Sequence, residues 1–362
     1  MAALSSIHHL RLRRFARSLT ASGIDSALIG YSPNLRYLCG FTGSSGVLAF
    51  AAGTIVFFSD GRYLQQAKQE VRGAKIKIDP LPRNAALTWL KEKKIKRLGV
   101  EAANIPAADW ALIQQTLRLP AKLRDAGKLL SEQRMIKDHS EQNLIRHAAR
   151  LGSSLFPKAL ESLRPGTSEN EVAAQMEFAA RTAGAEGMSF STIVASGPRS
   201  ALPHGRASTS HIPRRGFVVL DFGVILSGYC SDMTRTVHVG APDAASRHLY
   251  ATVRDAQAEA VAAVKPDRSF EEIDAAARNV IAREGLGKFF THSTGHGVGL
   301  EIHEPPRLGA GQKGKLKPGM VITVEPGVYV PGKGGVRIED MVLVTERGAE
   351  VLTRGDRNLI TL

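Results

Sequence analysis

Arg164-Pro165-Gly166-Thr167-Ser168-Glu169-Asn170-Glu171-Val172 recurs in pattern as Lys265-Pro266-Asp267-Arg268-Ser269-Phe270-Glu271-Glu272-Ile273, at an offset of 101 residues. The basic residue, Pro, Ser, Glu and β-branched residue fall at matching places. Ser followed three residues later by Glu is a capping box, in which hydroxyl and carboxylate each satisfy an orphan N–H of a helix start. Each copy therefore predicts an Ala-rich helix, entered through a Pro turn and closed by glycine at Gly184/Gly187 and Gly285/Gly287.

The segments after the two helices also match in kind. Apolar, β-branched runs predict a hairpin over Phe217–Val224 and Cys230–Val239, turning through Leu226-Ser227-Gly228. A second hairpin is predicted over Met320–Tyr329 and Gly335–Val344, joined by a Gly/Pro-rich turn. A duplicated helix-and-hairpin unit of this kind brings the hairpins together about a pseudo-two-fold axis, with helices outside and strands inside.

Each strand of the two hairpins carries one acid. Asp221 lies in Val218-Val219-Leu220-Asp221-Phe222-Gly223 and Asp232 in Ser231-Asp232-Met233-Thr234. Glu325 lies in Val321-Ile322-Thr323-Val324-Glu325-Pro326-Gly327 and Glu339 in Val336-Arg337-Ile338-Glu339-Asp340. An acid buried in an apolar strand is costly unless it is paired or binds a cation, and clustered carboxylates repel. Two divalent cations would balance the four carboxylates. Arg337, on the same strand face as Glu339, reads as a group that orients a substrate or ligand.

His296 sits in Thr291-His292-Ser293-Thr294-Gly295-His296-Gly297-Val298-Gly299, where glycines allow close backbone approach, and a neutral imidazole suits a mixed carboxylate site. His204, in Leu202-Pro203-His204-Gly205, and His303, in Glu301-Ile302-His303-Glu304-Pro305-Pro306, stand in loops from which an imidazole can reach a substrate carbonyl.

Upstream, helical patterns alternate from Leu10 to about Leu130 with β-rich runs at Ala27–Ile29, Gly46–Phe50, Thr54–Phe58 and Arg97–Val100, the rhythm of an α/β domain. Met1–Leu19 holds Arg11, Arg13, Arg14 and Arg17 without an acid, a composition shared with transit peptides. Leu12, Phe15, Ala16 and Leu19 recur at helical spacing, so the segment reads as the first helix of the domain. Lys128–Lys137 shows no period, and Asp138 with Glu141 then caps a predicted long helix, Ser140–Leu163. Domains are expected at 1–131 and 132–362.

The bulk numbers agree with a two-domain globular protein: 362 residues, 43% hydrophobic. No apolar run reaches the roughly 18–20 residues that cross a bilayer. Cys39 and Cys230, far apart, do not make a disulfide framework, and a reducing compartment, the cytoplasm, is expected. A net charge of +14 raises the question of a nucleic-acid partner. The densest basic run, Lys91–Arg97, ends a predicted helix and enters the strand Ile95–Glu101, which reads as a solvated face.

The series LDFGV, YCSDMTRT, THSTGHGVGLEIHEPP, VITVEPGVYV and GGVRIEDMVLV resembles the pita-bread metallopeptidases, the class of methionine aminopeptidase, aminopeptidase P and prolidase. The resemblance spans 134–362. It implies an α/β N-terminal domain plus an α+β pita-bread catalytic domain, built from the duplicated helix and antiparallel hairpin unit. It also implies two divalent metal ions held by Asp221, Asp232, His296, Glu325 and Glu339. Asp232 and Glu339 would bridge the ions, and Glu325 would also shuttle a proton. The histidines that the family places around substrate fall on His204, His292 and His303. Mn²⁺ suits the donors, as do Co²⁺, Zn²⁺ and Fe²⁺.

His303-Glu304-Pro305-Pro306 and Arg337-Ile338-Glu339-Asp340 resemble the proline-specific branch. So do Asn34-Leu35-Arg36-Tyr37-Leu38-Cys39-Gly40-Phe41-Thr42-Gly43-Ser44 and Asp60-Gly61-Arg62-Tyr63, with Gly40-Phe41-Thr42-Gly43-Ser44 and Asp60-Gly61-Arg62-Tyr63 leaning toward aminopeptidase P. The expectation is an Xaa-Pro aminopeptidase acting on proline-containing peptides as a homodimer or homotetramer. An Xaa-Pro dipeptidase is the first alternative. A creatinase-like, metal-independent enzyme would lack part of the ligand set, and a non-catalytic binding module, with RNA as its partner, is the remote alternative.

Overall fold

The computed structural model describes residues 2–117 and 123–362. The chain divides into two compact units, Met1–Arg134 and Met135–Leu362. The first ends slightly later than the sequence places it, because Lys128–Lys137 is not aperiodic. Leu130 and Arg134, one helical turn apart, are both buried, and Arg134 Nη1 donates to Asn34 Oδ1 at 2.9 Å, which holds this stretch helical within the first unit.

In the first unit α1 (Ala2–Ala21) buries Leu12, Phe15 and Leu19 on one face, with Phe15 edge-on to Phe50 at 5.2 Å. Then come β1 (Ser26–Ile29), α2 (Ser32–Cys39), β2 (Val47–Ala51), β3 (Thr54–Ser59), α3 (Leu64–Glu70) and β4 (Lys75–Ile78). They are followed by α4 (Pro82–Glu92), β5 (Leu98–Val100), α5 (Ala107–Leu117), β6 (Arg124–Asp125) and α6 (Gly127–Met135). The strands form one mixed sheet in the order β4-β3-β2-β1-β5-β6. The edge strand β4 alternates Lys and Ile and is largely exposed, so its composition hides it from a reading that looks for apolar runs. The basic side chains of Lys91–Arg97 are exposed.

The second unit opens on α7 (His139–Ser154), started by the Asp138/Glu141 capping box. The expected single helix Ser140–Leu163 is two, because α8 (Phe156–Ser162) begins after a break at Leu155. Pro157 has no N–H to give the Ser153 carbonyl, and its ring would clash there. The second copy has Ala258 at the same offset, and its helix α10 (Ala244–Ala263) runs unbroken. The duplication therefore reaches further upstream than the nonapeptide match: α7–α8 corresponds to α10, and α9 (Glu169–Thr182) to α11 (Phe270–Arg283).

Both Ser caps form full capping boxes. The Pro turns before them pair alike, Gly166 N to Ile212 O and Ile212 N to Thr167 O in one copy, Asp267 N to Leu316 O and Leu316 N to Arg268 O in the other. Such equivalence in backbone bonding excludes chance use of a common capping signal. Ser269→Ala, which removes the acceptor for Glu272 N, is expected to cost about 1 kcal/mol, read as a lower urea midpoint.

Between the copies run β7 (Gly187–Met188), β8 (Ile193–Ser196), β9 (Gly216–Phe222), β10 (Val224–Leu226), β11 (Tyr229–Cys230) and β12 (Met233–Val239). After α11 run β13 (Gly295–Gly297), β14 (Glu304–Leu308), β15 (Val321–Val324), β16 (Gly327–Val330), β17 (Gly334–Arg337), β18 (Asp340–Thr345) and β19 (Gly348–Val351). The first hairpin turns at Ser227 and Gly228, both at positive φ (49° and 76°), the backbone that matches strand twist in a tight hairpin. Each half has its own apolar core, one around α9 and β9, the other around α11 and β15.

The hairpins differ from expectation in one respect that matters for the site. Each strand meant to be continuous is interrupted, at Gly223, at Ser231-Asp232, at Glu325-Pro326 and at Ile338-Glu339. Three of the four acids lie in these interruptions, and Asp221 lies one residue inside the end of β9. Pro326 cannot donate to a ladder, so β15 must stop there.

Candidate metal centre

The interruptions release backbone groups from the ladders, and these are re-used to fix the acids. Glu325 N donates to Thr294 O at 2.7 Å and Glu339 N to Thr234 O at 3.1 Å. Threonine hydroxyls then aim the carboxylates: Thr234 Oγ1 donates to Glu339 Oε2 at 2.6 Å and Thr323 Oγ1 to Glu325 Oε1 at 3.3 Å. Behind Glu339, the fully buried Arg235 donates to Glu339 O at 2.6 Å and to Asp340 Oδ1 at 2.9 Å. The first half of the duplication thus holds the acid contributed by the second.

His296 lies on β13 at a bulge. Its Nδ1 is 3.1 Å from Gly297 O, an atom that can only accept, so Nδ1 carries the proton and Nε2 presents its lone pair to the acids. Nε2 is 3.3 Å from Glu325 Oε1 and 3.6 Å from Asp232 Oδ2. One ligand atom each from Asp232, His296 and Glu339 lie within 4.8 Å of one another, a grouping that can hold a metal ion.

Burial pushes the Glu325 carboxyl up to about 8, and burial together with neighbouring acids, Glu339 for Asp232 and Glu325 for Glu339, pushes those two well above the carboxylate range. Burial lowers His296 to about 4. In the metal-free chain a neutral carboxyl therefore faces a neutral imidazole.

Whether these residues fit a cation is tested by what is left unpaired. Asp221 Oδ1 and Glu339 Oε1 are buried and make no hydrogen bond within the protein. Buried carboxylate oxygens without a partner are rare and costly, and two in a cluster of four acids beside an imidazole lone pair match hard-cation donors.

The remaining expected site residues divide. His204 and His303 are exposed on the wall of a cavity of roughly 830 Å³ that also reaches Asp221, Asp232, His296, Glu325 and Glu339. The His303 ring packs edge-on to His296 at 4.4 Å, and its pKa is lowered by burial and by His204. His292 and Arg337 are in the same cavity wall but are committed to the protein. His292 Nδ1 is 2.9 Å from Ser293 O, and Nε2 is 2.9 Å from Tyr329 OH, so neither ring nitrogen is open to a substrate.

Arg337, whose side chain is 4% exposed, takes the second of the two roles the sequence allows, orienting a ligand. Its donors go to Thr234 Oγ1, Pro203 O, Tyr329 OH at 2.7 Å and Asp221 Oδ2 at 2.5 Å. It holds a candidate ligand rather than a substrate. Arg337, Tyr329 and His292 make one consistent chain, in which Tyr329 OH accepts from Arg337 and donates to His292. Sequence reasoning missed the parts played by Tyr329, Thr234 and Thr323. The only cue lay with the threonines, each two residues from an acid, the spacing of one strand face.

Duplicated helix-and-hairpin halves that close four acids and one imidazole over a cavity define a metal-dependent hydrolase of the pita-bread class. Residues 143–346 match metallopeptidase family M24 and residues 11–136 match the creatinase/prolidase N-terminal domain. The chain belongs to metallopeptidase family M24. An Xaa-Pro dipeptidase of Pyrococcus horikoshii is 37% identical over 356 residues, 97% of this chain and 98% of its own. The solved structure of an Xaa-Pro dipeptidase from Bacillus anthracis is similar with a TM-score of 0.94 at 39% identity, covering 98% of this chain and 100% of that one. That of an X-Pro aminopeptidase from Thermotoga maritima MSB8 has a TM-score of 0.88 at 34% identity, covering 96% and 100%.

These relatives move the weight from aminopeptidase to dipeptidase. The Asp60-Gly61-Arg62-Tyr63 piece that leaned the other way has a local explanation. Asp60 accepts from Arg62 N, Nε and Nη2 at 2.9–3.1 Å, so the motif staples a turn.

Proposed function

We propose that the chain hydrolyses the Xaa-Pro bond of dipeptides, with Asp221, Asp232, His296, Glu325 and Glu339 holding two divalent metal ions. The observation that carries this reading is the pair of unpartnered buried oxygens, Asp221 Oδ1 and Glu339 Oε1, inside the acid cluster. Bound divalent ions supply hydroxide near neutral pH and polarise the scissile carbonyl.

The chain's own groups do the rest. Glu325, on the cavity wall, takes a proton from the attacking water and returns it to the proline nitrogen, which has no N–H of its own and must be protonated to leave. His303 and His204 donate to the carbonyl oxygen as charge builds on it. Arg337 and Thr234 hold Asp221 and Glu339 against movement.

Arg206 and Arg307 favour the dipeptidase over the aminopeptidase reading. Both are exposed on the cavity wall, and Arg307 Nε is pinned to Ser293 Oγ at 3.1 Å. A dipeptide carries its carboxylate on the proline itself, where a guanidinium reads it; a longer peptide puts a neutral amide there. Xaa-Pro is expected to exceed Xaa-Pro-Yaa in kcat/KM by tenfold or more, and equal rates would restore the aminopeptidase. Arg307→Ala should raise KM for the dipeptide by about tenfold or more with kcat little changed, the loss of one charge-assisted hydrogen bond.

Mn²⁺ is our choice of metal, with Co²⁺, Zn²⁺ and Fe²⁺ compatible with the same donors. We place the protein in the cytoplasm as a homodimer or homotetramer. Its two cysteines are buried and not joined in a disulfide, in keeping with a reducing compartment, and no described helix is long and apolar enough to cross a membrane.

A further inference from the structure

Lys137 is the one buried lysine among the described residues. Its ammonium lies 2.7 Å from Glu304 Oε1, with side chains 1% and 5% exposed, but off the line of a hydrogen bond, so the contact is ionic. Neither residue of the pair is among the candidate ligands or the groups assigned to substrate, though the Glu304 charge is felt at His296. The pair nevertheless stands at the site: Glu304 follows His303, lines the cavity, and opens β14, the strand paired to the His296 strand β13.

Both ends of the contact are fixed. Lys137 N donates to Gly319 O at 2.9 Å, its carbonyl accepts from Gln142 Nε2 at 2.9 Å, and the next residue, Asp138, caps α7. On the other side, the Glu304 carboxylate runs against the backbone of Gly299, where a Cβ would collide with it. Glu304 pairs with Gly297 at the bulge that sets the direction of His296. Burying an ammonium and a carboxylate together contributes little stability over an apolar pair of the same volume, so stability alone does not account for it.

We infer that the Lys137–Glu304 pair is a positioning device, which fixes β14 against the bulge of β13 and so sets His303 and His296 relative to the acids. The inference rests on the peptidase reading for its kinetic consequence. Its structural consequence, correct presentation of the imidazole lone pair to a metal, does not.

The test is K137M/E304M, which removes both charges and keeps volume, with E304D as the variant that keeps the charge but withdraws the carboxylate by one methylene. Mn²⁺ affinity by calorimetry, kcat and KM on an Xaa-Pro dipeptide, and the thermal midpoint are read on each. The expected result for K137M/E304M is an unchanged or raised midpoint, with Mn²⁺ affinity and kcat each lowered by about tenfold or more and KM within a few fold, the size seen when groups behind a metal ligand are removed. E304D is expected to move affinity and kcat in the same direction, and it decides the matter if the double variant does not fold.

Wild-type Mn²⁺ affinity and kcat in a folded K137M/E304M, or in E304D if the double variant does not fold, would overturn the inference and leave the pair a packing feature. If the wild-type protein binds Mn²⁺ but cleaves no Xaa-Pro peptide, the peptidase reading fails, and the affinity measurement still decides the positioning role.

Discussion

Glu325→Gln is expected to lower kcat for Xaa-Pro hydrolysis about a thousandfold or more while making the metal-free protein harder to unfold by heat. The activity side comes from the shuttle: an amide of the same shape can accept from Thr323 Oγ1 but cannot take up and release a proton, and loss of such a group costs about 10²–10⁴ in rate. The stability side comes from burial, which pushes the Glu325 carboxyl up to about 8.

At pH 7.5 the folded chain must keep a proton there that the unfolded chain has released, and the mutant is relieved of that cost, on the order of 2 kcal/mol after allowance for relaxation. Calorimetric unfolding in chelator beside steady-state kinetics reads both. Near-native turnover would remove the proton-shuttle role, and a lower midpoint would show that the carboxyl is not electrostatically strained.

A second large effect is expected from pH on the metal-free protein. Unfolded carboxyls ionise near pH 4, whereas Glu325, Asp232 and Glu339 hold their protons well above that when folded. Above pH 6.5 the folded state thus binds more protons than the unfolded one. Stability falls as pH rises, by about 1.4 kcal/mol per pH unit for each proton retained, until the folded pKa is passed, about 8 for Glu325.

The buried histidines cost stability in another window. His296 and His292 are lowered to about 4, so their effect is felt only as pH drops below about 6.5, where their unfolded counterparts charge. Between pH 6.5 and 8 the carboxyls act alone. Saturating Mn²⁺ should raise the thermal midpoint, flatten this slope, and release protons at pH 7, measurable by calorimetry in buffers of different ionisation enthalpy. A midpoint that climbs from pH 6.5 to 8 without metal, or binding without proton release, would contradict the cluster.

The acids and His296 were legible because each breaks a local rule: a charge in a β-branched run, or a histidine between glycines. The repeat was legible because capping chemistry is local. Pro157 is just as visible in the sequence, and its cost to a helix interior is enough by itself to split Ser140–Leu163. Pro326 marks the interruption at Glu325 just as plainly, but those at Asp232 and Glu339 were not legible, because a ladder ends there through bonds made to other elements, as Glu339 N makes to Thr234 O.

The part His292 and Arg337 play was not legible for a related reason. Motif spacing says which residues approach a site; only the partners on other strands, here Tyr329, Thr234 and Asp221, say which face inward to substrate and which are spent on holding ligands. Lys137 and Glu304 had no local signal at all, since a buried ion pair between distant segments is written in neither.

The most direct measurement takes one sample through three states and records metal content and Xaa-Pro dipeptide hydrolysis in each: as purified, after chelation, and after return of Mn²⁺. About two ions per chain, hydrolysis lost with them, and recovery on return are expected from a site built as this one is. Undiminished hydrolysis by the metal-stripped protein would contradict it.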